Sequence, residues 1–408
     1  MRILYINKNF RLVGGVERYF FDLANLMKEK GHKVSFFSMT EDHNISSARN
    51  KYFLRPVSFD DKTVPGRIRY MSRIFYSPEA RKKITLILQK FSPDIVHIHD
   101  IYHQISPSVL LEIAKRNIPM VQTLGNYHLI SPNYNMYHDG AVCEITRRNK
   151  YYNAFFHRCV KNSYMASFIE VAEKYFHNAF GWEKNLISKF IVPSQFLRNK
   201  LMDYGIDPEK IITIPHFVTK TKGIKKRPGS YILYFGRLTE EKGLLFLINV
   251  MEKLPGIQLK ITGRGPLREE LEKMVRKNRI KNVIFTGFKQ GRNLTDIISG
   301  SRFTILPSLW YEVFGLSILE SFVCNKTVLA SKTGGIPEVV KDGYNGLLFD
   351  PGNMEECKDK ILKLWHNVKL RERLEENALR DARMRFSEDK HYGIMIKLYQ
   401  EVIKRQTY

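Results

Sequence analysis

The chain has 408 residues, 43% of them hydrophobic and 26% charged, which excludes a disordered or collagen-like chain and allows two or three domains with separate cores. Its 66 Lys and Arg exceed its 41 Asp and Glu by 25, so a polyanionic neighbour is expected: nucleic acid, an anionic membrane face or phosphorylated substrates. The surplus is +12 up to His216 (31 against 19) and +13 beyond it (35 against 22), so no single tail carries it and charge alone does not choose the partner.

Apolar runs such as "YILYF" (231–235) and "FTILP" (303–307) fall well short of the roughly 18 residues of a membrane-spanning helix. "MRILYINKNF" reads as a strand entering a polar loop, without the apolar region and cleavage site of a signal peptide, so a cytoplasmic chain is expected. Cys143, Cys159, Cys324 and Cys357 lie far apart with no C-x-x-C, which favours reduced structural thiols over a disulfide framework or a zinc site.

Along the chain, β-branched and aromatic runs predict strands at 2–6, 33–38, 94–97, 120–123 and 190–192, then at 231–235, 258–262, 282–286, 303–306, 327–330 and 346–349. Amphipathic stretches between them, such as 16–30, 266–277 and 354–365, predict helices, and the alternation predicts α/β architecture with parallel sheets. "TKTKGIKKRPGS" (219–230) is basic, contains Gly and Pro and has little to bury, as a linker between two domains does. This divides the chain into 1–217 and 218–388, followed by a last helix at about 389–408.

Six stretches bear on chemistry. In "NKNFRLVGGVERYFFDLANLM" (7–27), Gly14 and Gly15 allow the backbone close to a phosphate. It is not a G-x-G-x-x-G and no acid clearly ends the second strand, so a nicotinamide site is not supported. "GRIRYMSRIFYSPEARKK" (66–83) and "RRNKYYNAFFHRCVKNSYM" (147–165) mix basic and aromatic residues, which suits an anionic membrane surface or a lipid-diphosphate acceptor. The alternative is a basic helix face over core aromatics. Nucleic acid would use the same side chains, but no nucleic-acid module accompanies them.

In "FGRLTEEKGL" (235–244), Arg237 and Lys242 follow a strand end, where open α/β sheets bind ligands, and precede a helix start that favours anions. Arg237 can fork two phosphate oxygens and Lys242 adds a point charge; a solvated loop is the alternative. "ITGRGPL" (261–267) offers Gly263 and Gly265 at a second strand end, as a ligand approach or an ordinary tight turn. In "SLWYEVFGLSILESF" (308–322), Glu312 lies in the loop after a strand, Gly315 near a helix start, and Glu320 about one and a half turns into that helix. Two acids so placed do not flank one bond as an acid–base pair does. They read as two grips on an extended ligand, or as a surface acid and a helix acid.

Taken together and in this order, "GGVERY", "GRLTEEKG", "ITGRGPL", "EVFGLSILES" and "ASKTGGIPEVVKDGYNGLLFDPGN" (330–353) resemble the family 4 glycosyltransferases, retaining enzymes of the GT-B fold, over nearly the whole chain. "SPNYNMYHDGAVCE" (131–144) and "FIVPSQFLRNKLMDYGIDPEKI" (190–211) resemble the subset that assembles polysaccharides and lipid-linked glycans. The resemblance implies two Rossmann-like domains facing across a cleft, a C-terminal helix crossing back to the first, and a peripheral enzyme on the inner face of the cell membrane. It implies a nucleotide-diphosphate sugar as donor, a glycan or lipid-linked acceptor, an anionic membrane surface as partner, no nucleic acid, and neither cofactor nor metal. Carried over, Arg237 and Lys242 hold the diphosphate and Glu320 the ribose. Glu312 contacts the transferred sugar with the backbone amides of Phe314, Gly315 and Leu316. Gly263 lies by the nucleoside, and Gly15 approaches the phosphates from the first domain. The acceptor and sugar side is "QTLGNYHLISPNY" (122–134). Asn126 and Tyr127 match the family, but Gly125 stands where it has a reaction-centre histidine, and Ser131 where a cysteine is frequent. His128 is not an assumed substitute. The departure points to a different sugar, or to a catalytically impaired binding subunit.

Overall fold

In this computed structural model, residues 1–41, 44–45, 50–56, 71–219 and 229–406 are described. Most of the linker expected at 219–230, and residues 66–70 of the first basic–aromatic stretch, lie outside them. The β-branched and aromatic runs form β1 (Arg2–Ile6), β2 (Lys33–Phe37), β3 (Ile95–Ile98), β4 (Met120–Thr123), β5 (Tyr137–His138), β6 (Ala141–Val142), β7 (Lys189–Val192) and β8 (Ile211–Thr213). After the linker come β9 (Ile232–Arg237), β10 (Leu259–Arg264), β11 (Val283–Gly287), β12 (Phe303–Leu306), β13 (Val328–Ser331) and β14 (Gly346–Phe349).

The chain divides into two compact units, Met1–Met136 with Glu144–Ile214 and Tyr392–Tyr408, and Tyr137–Cys143 with Pro215–His391. The first holds a six-stranded sheet in the order β2-β1-β3-β4-β7-β8, the second one in the order β11-β10-β9-β12-β13-β14. Every strand pair within these two sheets is parallel. Parallel strands need covering on both faces, and all four residues of each of β3, β4, β12, β13 and β14 are buried.

Helix starts are fixed locally: the hydroxyls of Ser77, Ser163 and Ser194 accept N–H groups of Ala80, Ala166 and Leu197, satisfying donors that the first turn leaves free. Helix Glu388–Gln406 is the last element among the described residues, and in its first-unit part Met395, Leu398, Tyr399 and Val402 are buried at the i, i+3, i+4, i+7 spacing of one helix face. The Tyr399 hydroxyl meets Tyr5 at 3.2 Å and also His97 Nδ1. No helix of the described residues is long and apolar enough to cross a membrane.

Each sheet reverses its winding once. In the first, β1 lies between β2 and β3; in the second, β9 lies between β10 and β12. Loops leaving two neighbouring strands in opposite directions open a crevice at their carboxyl ends, where doubly wound sheets bind ligands.

Candidate functional site

In the second unit the reversal lies between β9 and β12. The loop after β9 carries Lys242 and the loop after β12 carries Glu312, and Lys242 Nζ donates to Glu312 Oε1 at 2.5 Å. The Ser308 hydroxyl donates to the same oxygen at 2.7 Å, and the Lys242 ammonium stands 4.9 Å from the Trp310 ring centroid. Burial alone would raise the Glu312 carboxyl. The Lys242 charge and the hydrogen bonds from Lys242 and Ser308 act together against burial, and the carboxyl lies below the usual carboxylate range. Arg237 lies at the end of β9, its guanidinium 3.2 Å from the buried Glu241. In register beside it on β10 is Arg264, exposed and 4.5 Å from the Phe288 ring centroid. Arg264, which sequence reasoning missed, thus adds a cation at the carboxyl end of the strand on the other side of β9.

Gly315 has φ 88°, in the left-handed region, and opens helix Leu316–Val323. The first N–H groups of a helix have no partner within it and carry its positive end. Phe314 is buried against His216 and Phe386, with ring centroids 5.1 and 5.9 Å away. Glu320 is half-buried within the helix. Gly263 answers to its neighbour strand: a Cβ there would lie 1.9 Å from the Gly236 carbonyl oxygen. A further support, missed in the sequence, is the 333–335 turn. Gly335 N–H donates to Glu312 O at 2.7 Å, the Thr333 hydroxyl donates to Trp310 O at 3.0 Å, and a Cβ on Gly334 would lie 2.2 Å from Glu312 O.

In the first unit the reversal lies between β1 and β3. Lys8 N–H donates to Asp100 O at 2.7 Å, and Asp100 N–H donates to Asn7 Oδ1 at 3.1 Å. Asn126 Nδ2, after β4, donates to Asp100 Oδ1 at 3.1 Å. Burial pushes the Asp100 carboxyl up to about 6, against the opposing Lys8 charge. Neither Lys8 nor Asp100 was singled out from the sequence, although "HIHDIYH" (97–103) concentrates polar residues just after an apolar strand. Gly15 is exposed at the first position of its helix, where Gly14 N–H donates to the Glu17 carboxylate at 2.9 Å. Tyr127 is wholly buried, so its ring serves the core. Gly125 abuts that same helix: a Cβ on it would lie 2.6 Å from Val16 Cγ2.

His128 is buried and stacks on Tyr102 at 4.2 Å. With His103, Glu170 and Glu173 it forms a group whose ligand-type atoms all lie within 4.8 Å of one another. A metal would need a lone pair from His103, yet both its ring nitrogens face carboxylates, Nε2 at 3.0 Å from Glu170 and Nδ1 at 2.8 Å from Glu173. Burial would lower its pKa, but Glu173 and Glu170 outweigh burial and push it up to about 10. The His103 imidazolium thus balances part of the charge of Glu170 and Glu173, and the buried Lys174 contributes to the same balance.

A family model described as Glycosyltransferase Family 4 matches residues 13–222, and one described as Glycosyl transferases group 1 matches residues 219–381. An uncharacterized glycosyltransferase of Methanocaldococcus jannaschii is 26% identical over 402 residues, covering 98% of this chain and 99% of its own. The O-antigen chain mannosyltransferase C of Escherichia coli is 21% identical over 421 residues and 100% of both chains. Among solved structures, HepE of Anabaena in complex with UDP and glucose superposes with a TM-score of 0.67 at 17% identity, over 98% of this chain and 99% of that one. At that identity the likeness speaks to fold alone, and the fold is GT-B.

Proposed function

Because this chain belongs to glycosyltransferase family 4, we propose that it moves a sugar from a nucleotide-diphosphate donor to a growing, lipid-linked glycan with retained anomeric configuration. Sugar transfer in glycan synthesis is the activity of the family; donor, acceptor and stereochemistry are the proposal. The observation that carries it is the Lys242–Glu312 pair at the winding reversal of the second sheet. An amine and a carboxylate meet there beside a helix start, which suits a ligand with a diphosphate at one end and a hydroxyl-rich sugar at the other.

In this reading Arg237 and Lys242 hold the diphosphate, and Glu312 positions the sugar with the amides of Phe314, Gly315 and Leu316. Glu320 takes the ribose hydroxyls and Gly263 lies by the nucleoside. As the glycosidic bond breaks, charge grows on the diphosphate; two side-chain cations and the helix start offset it without a metal. A donor phosphate oxygen takes the proton of the acceptor hydroxyl as that hydroxyl attacks from the same face. Support for the donor class comes from HepE, solved with UDP and glucose. Support for the glycan class comes from the O-antigen mannosyltransferase. The proposed location is the inner face of the cell membrane, where a lipid-linked acceptor is held.

The test is titration calorimetry with UDP, GDP, ADP and dTDP, followed by transfer assays with the sugar forms of whichever binds and anomer assignment of the product by NMR. Arg237→Ala and Lys242→Ala should each lower turnover by roughly 10²–10³-fold, as loss of a transition-state donor does. Wild-type turnover in both would end the diphosphate assignment. A second reading, a binding subunit that has lost turnover, is favoured by Gly125, which lacks the imidazole and sits where any side chain meets Val16. Nucleotide binding without turnover, with turnover regained in Gly125→His/Val16→Ala, would select it.

A further inference from the structure

Helix Tyr164–Phe180 buries ionisable groups and exposes aromatic rings. Its inner face holds Ser167, Glu173, Lys174 and His177, each exposed by 5% or less, beside the apolar Ile169 and Val171. Its outer side shows Tyr164 at 55%, Met165 at 64%, Phe168 at 53% and Phe180 at 55%. A surface helix in water does the reverse, because burying ionisable groups and leaving aromatic rings in solvent are both unfavourable. Scattered exposed apolar residues are ordinary, but Tyr164, Met165 and Phe168 share one end of the helix and continue into further rings. Phe156, 66% exposed on the neighbouring short helix, has its ring 5.4 Å from that of Phe155. The Phe155 ring in turn lies 5.5 Å from Tyr164 and 6.2 Å from Phe168.

Charge beside the patch is predominantly basic, although Arg147 lies 3.8 Å from the Asp203 carboxylate. From Arg147 to Met165 there are five basic residues, Arg147, Arg148, Lys150, Arg158 and Lys161, and no acid. All five are exposed, and the Arg158 guanidinium lies 5.4 Å from the Tyr164 ring centroid. The first basic–aromatic stretch is different: Arg73 is buried on Glu79 and Arg81 pairs with Glu112, so those charges are compensated within the protein.

We propose that the face formed by Phe156, Tyr164, Met165 and Phe168 with its basic rim adsorbs to an anionic lipid bilayer, rings at headgroup depth and the Arg and Lys heads at the phosphates. A second copy of the chain would bring two basic rims together, which their mutual repulsion opposes. The proposal deepens the lipid-acceptor reading and rests on it only for its purpose, since adsorption needs neither donor nor acceptor.

The test is co-sedimentation of the full chain with vesicles of phosphatidylcholine alone and of phosphatidylcholine mixed with phosphatidylglycerol. Wild type should partition to the mixed vesicles. Phe156→Ser/Met165→Ser/Phe168→Ser should lower that partition by roughly tenfold or more with melting temperature and nucleotide binding unchanged. Arg158→Gln/Lys161→Gln, which leaves the apolar face alone, should weaken adsorption most at low salt. The proposal is overturned if wild type ignores the mixed vesicles, if a folded triple variant binds them as well as wild type does, or if wild type is a dimer that the triple variant dissociates. Adsorption by a protein inactive with every donor would sink the transferase reading and leave this one standing; turnover without adsorption would do the opposite.

Discussion

Glu312 keeps its charge in the second unit through Lys242, and that dependence is open to test. Removing one partner of a buried pair leaves an uncompensated charge, whereas removing both does not. Lys242→Met should therefore cost about 3–5 kcal/mol of stability, and Lys242→Met/Glu312→Gln should recover most of it. Because the folded Glu312 carboxyl is lowered, its stabilisation is present above the unfolded carboxylate range and is lost as pH falls through the folded value. The single variant should lose that acid sensitivity. Urea denaturation at neutral and acid pH reads both effects, and equal stability of the single variant and wild type would refute the pairing argument. His99 in the first unit makes a second case. Neither of its ring nitrogens has a hydrogen-bond partner, its ring stacks on His97 at 4.7 Å, and burial pushes its pKa down to about 3. A folded pKa below the unfolded value means stability that is present above about 6.5 and is lost at about 1.4 kcal/mol per pH unit below it. His99→Phe removes the proton site while keeping an aromatic ring. It should be near neutral at pH 7 and gain about 2 kcal/mol over wild type at pH 5. An unchanged acid slope in urea midpoints would show that His99 is not the sensitive group.

The loop that carries Glu312 depends at the level of elements on the 333–335 turn behind it. Gly334 has φ +59° and no room for a Cβ, whereas Gly352 has φ +78° and open space. Gly352→Ala should cost about 1 kcal/mol for its left-handed backbone alone. Gly334→Ala should cost at least about 2 kcal/mol more, because the collision is with backbone, and should weaken nucleotide binding as Glu312 shifts. Equal losses in thermal melts would show that the turn does not support the loop. This turn also marks where sequence reading stopped. The strands at 2–6, 120–123, 303–306 and 346–349 were legible to the residue because an apolar, β-branched or aromatic run bounded by turn residues is a local signal. Others shifted by one or two, as with 282–286 against Val283–Gly287, where the pattern fades into the loop. Lys242 and Glu312 were each legible as residues after a strand. That their two loops meet depends on β9 lying beside β12, which no local pattern records. Gly334 was invisible for the same reason, as was the neighbouring strand's own demand for a glycine at Gly263. In 147–165 the alternative of core aromatics holds for Tyr151, which is buried, and fails for Tyr152, Phe156 and Tyr164, which are exposed; periodicity marks a face but not which side is water.

The charge of the whole molecule is general where the membrane face is local, and the two are separable. Replacing Arg147, Arg148, Lys150, Arg158 and Lys161 by Gln takes the formal net charge from +25 to +20 (25 − 5). Attraction to a soluble polyanion follows the field of the entire surface, to which both halves of the chain contribute. The salt needed to elute the variant from heparin should therefore fall only modestly. An anionic bilayer meets one face, and each basic residue held at that surface is worth about 1 kcal/mol before screening. Adsorption to phosphatidylglycerol vesicles should thus fall by tenfold or more, since about 1.4 kcal/mol already suffices for a factor of ten. Losses in proportion on heparin and on vesicles would mean that the membrane senses only the overall charge. A large loss on vesicles with a small one on heparin would mean that the basic residues act as the rim of a single apolar face.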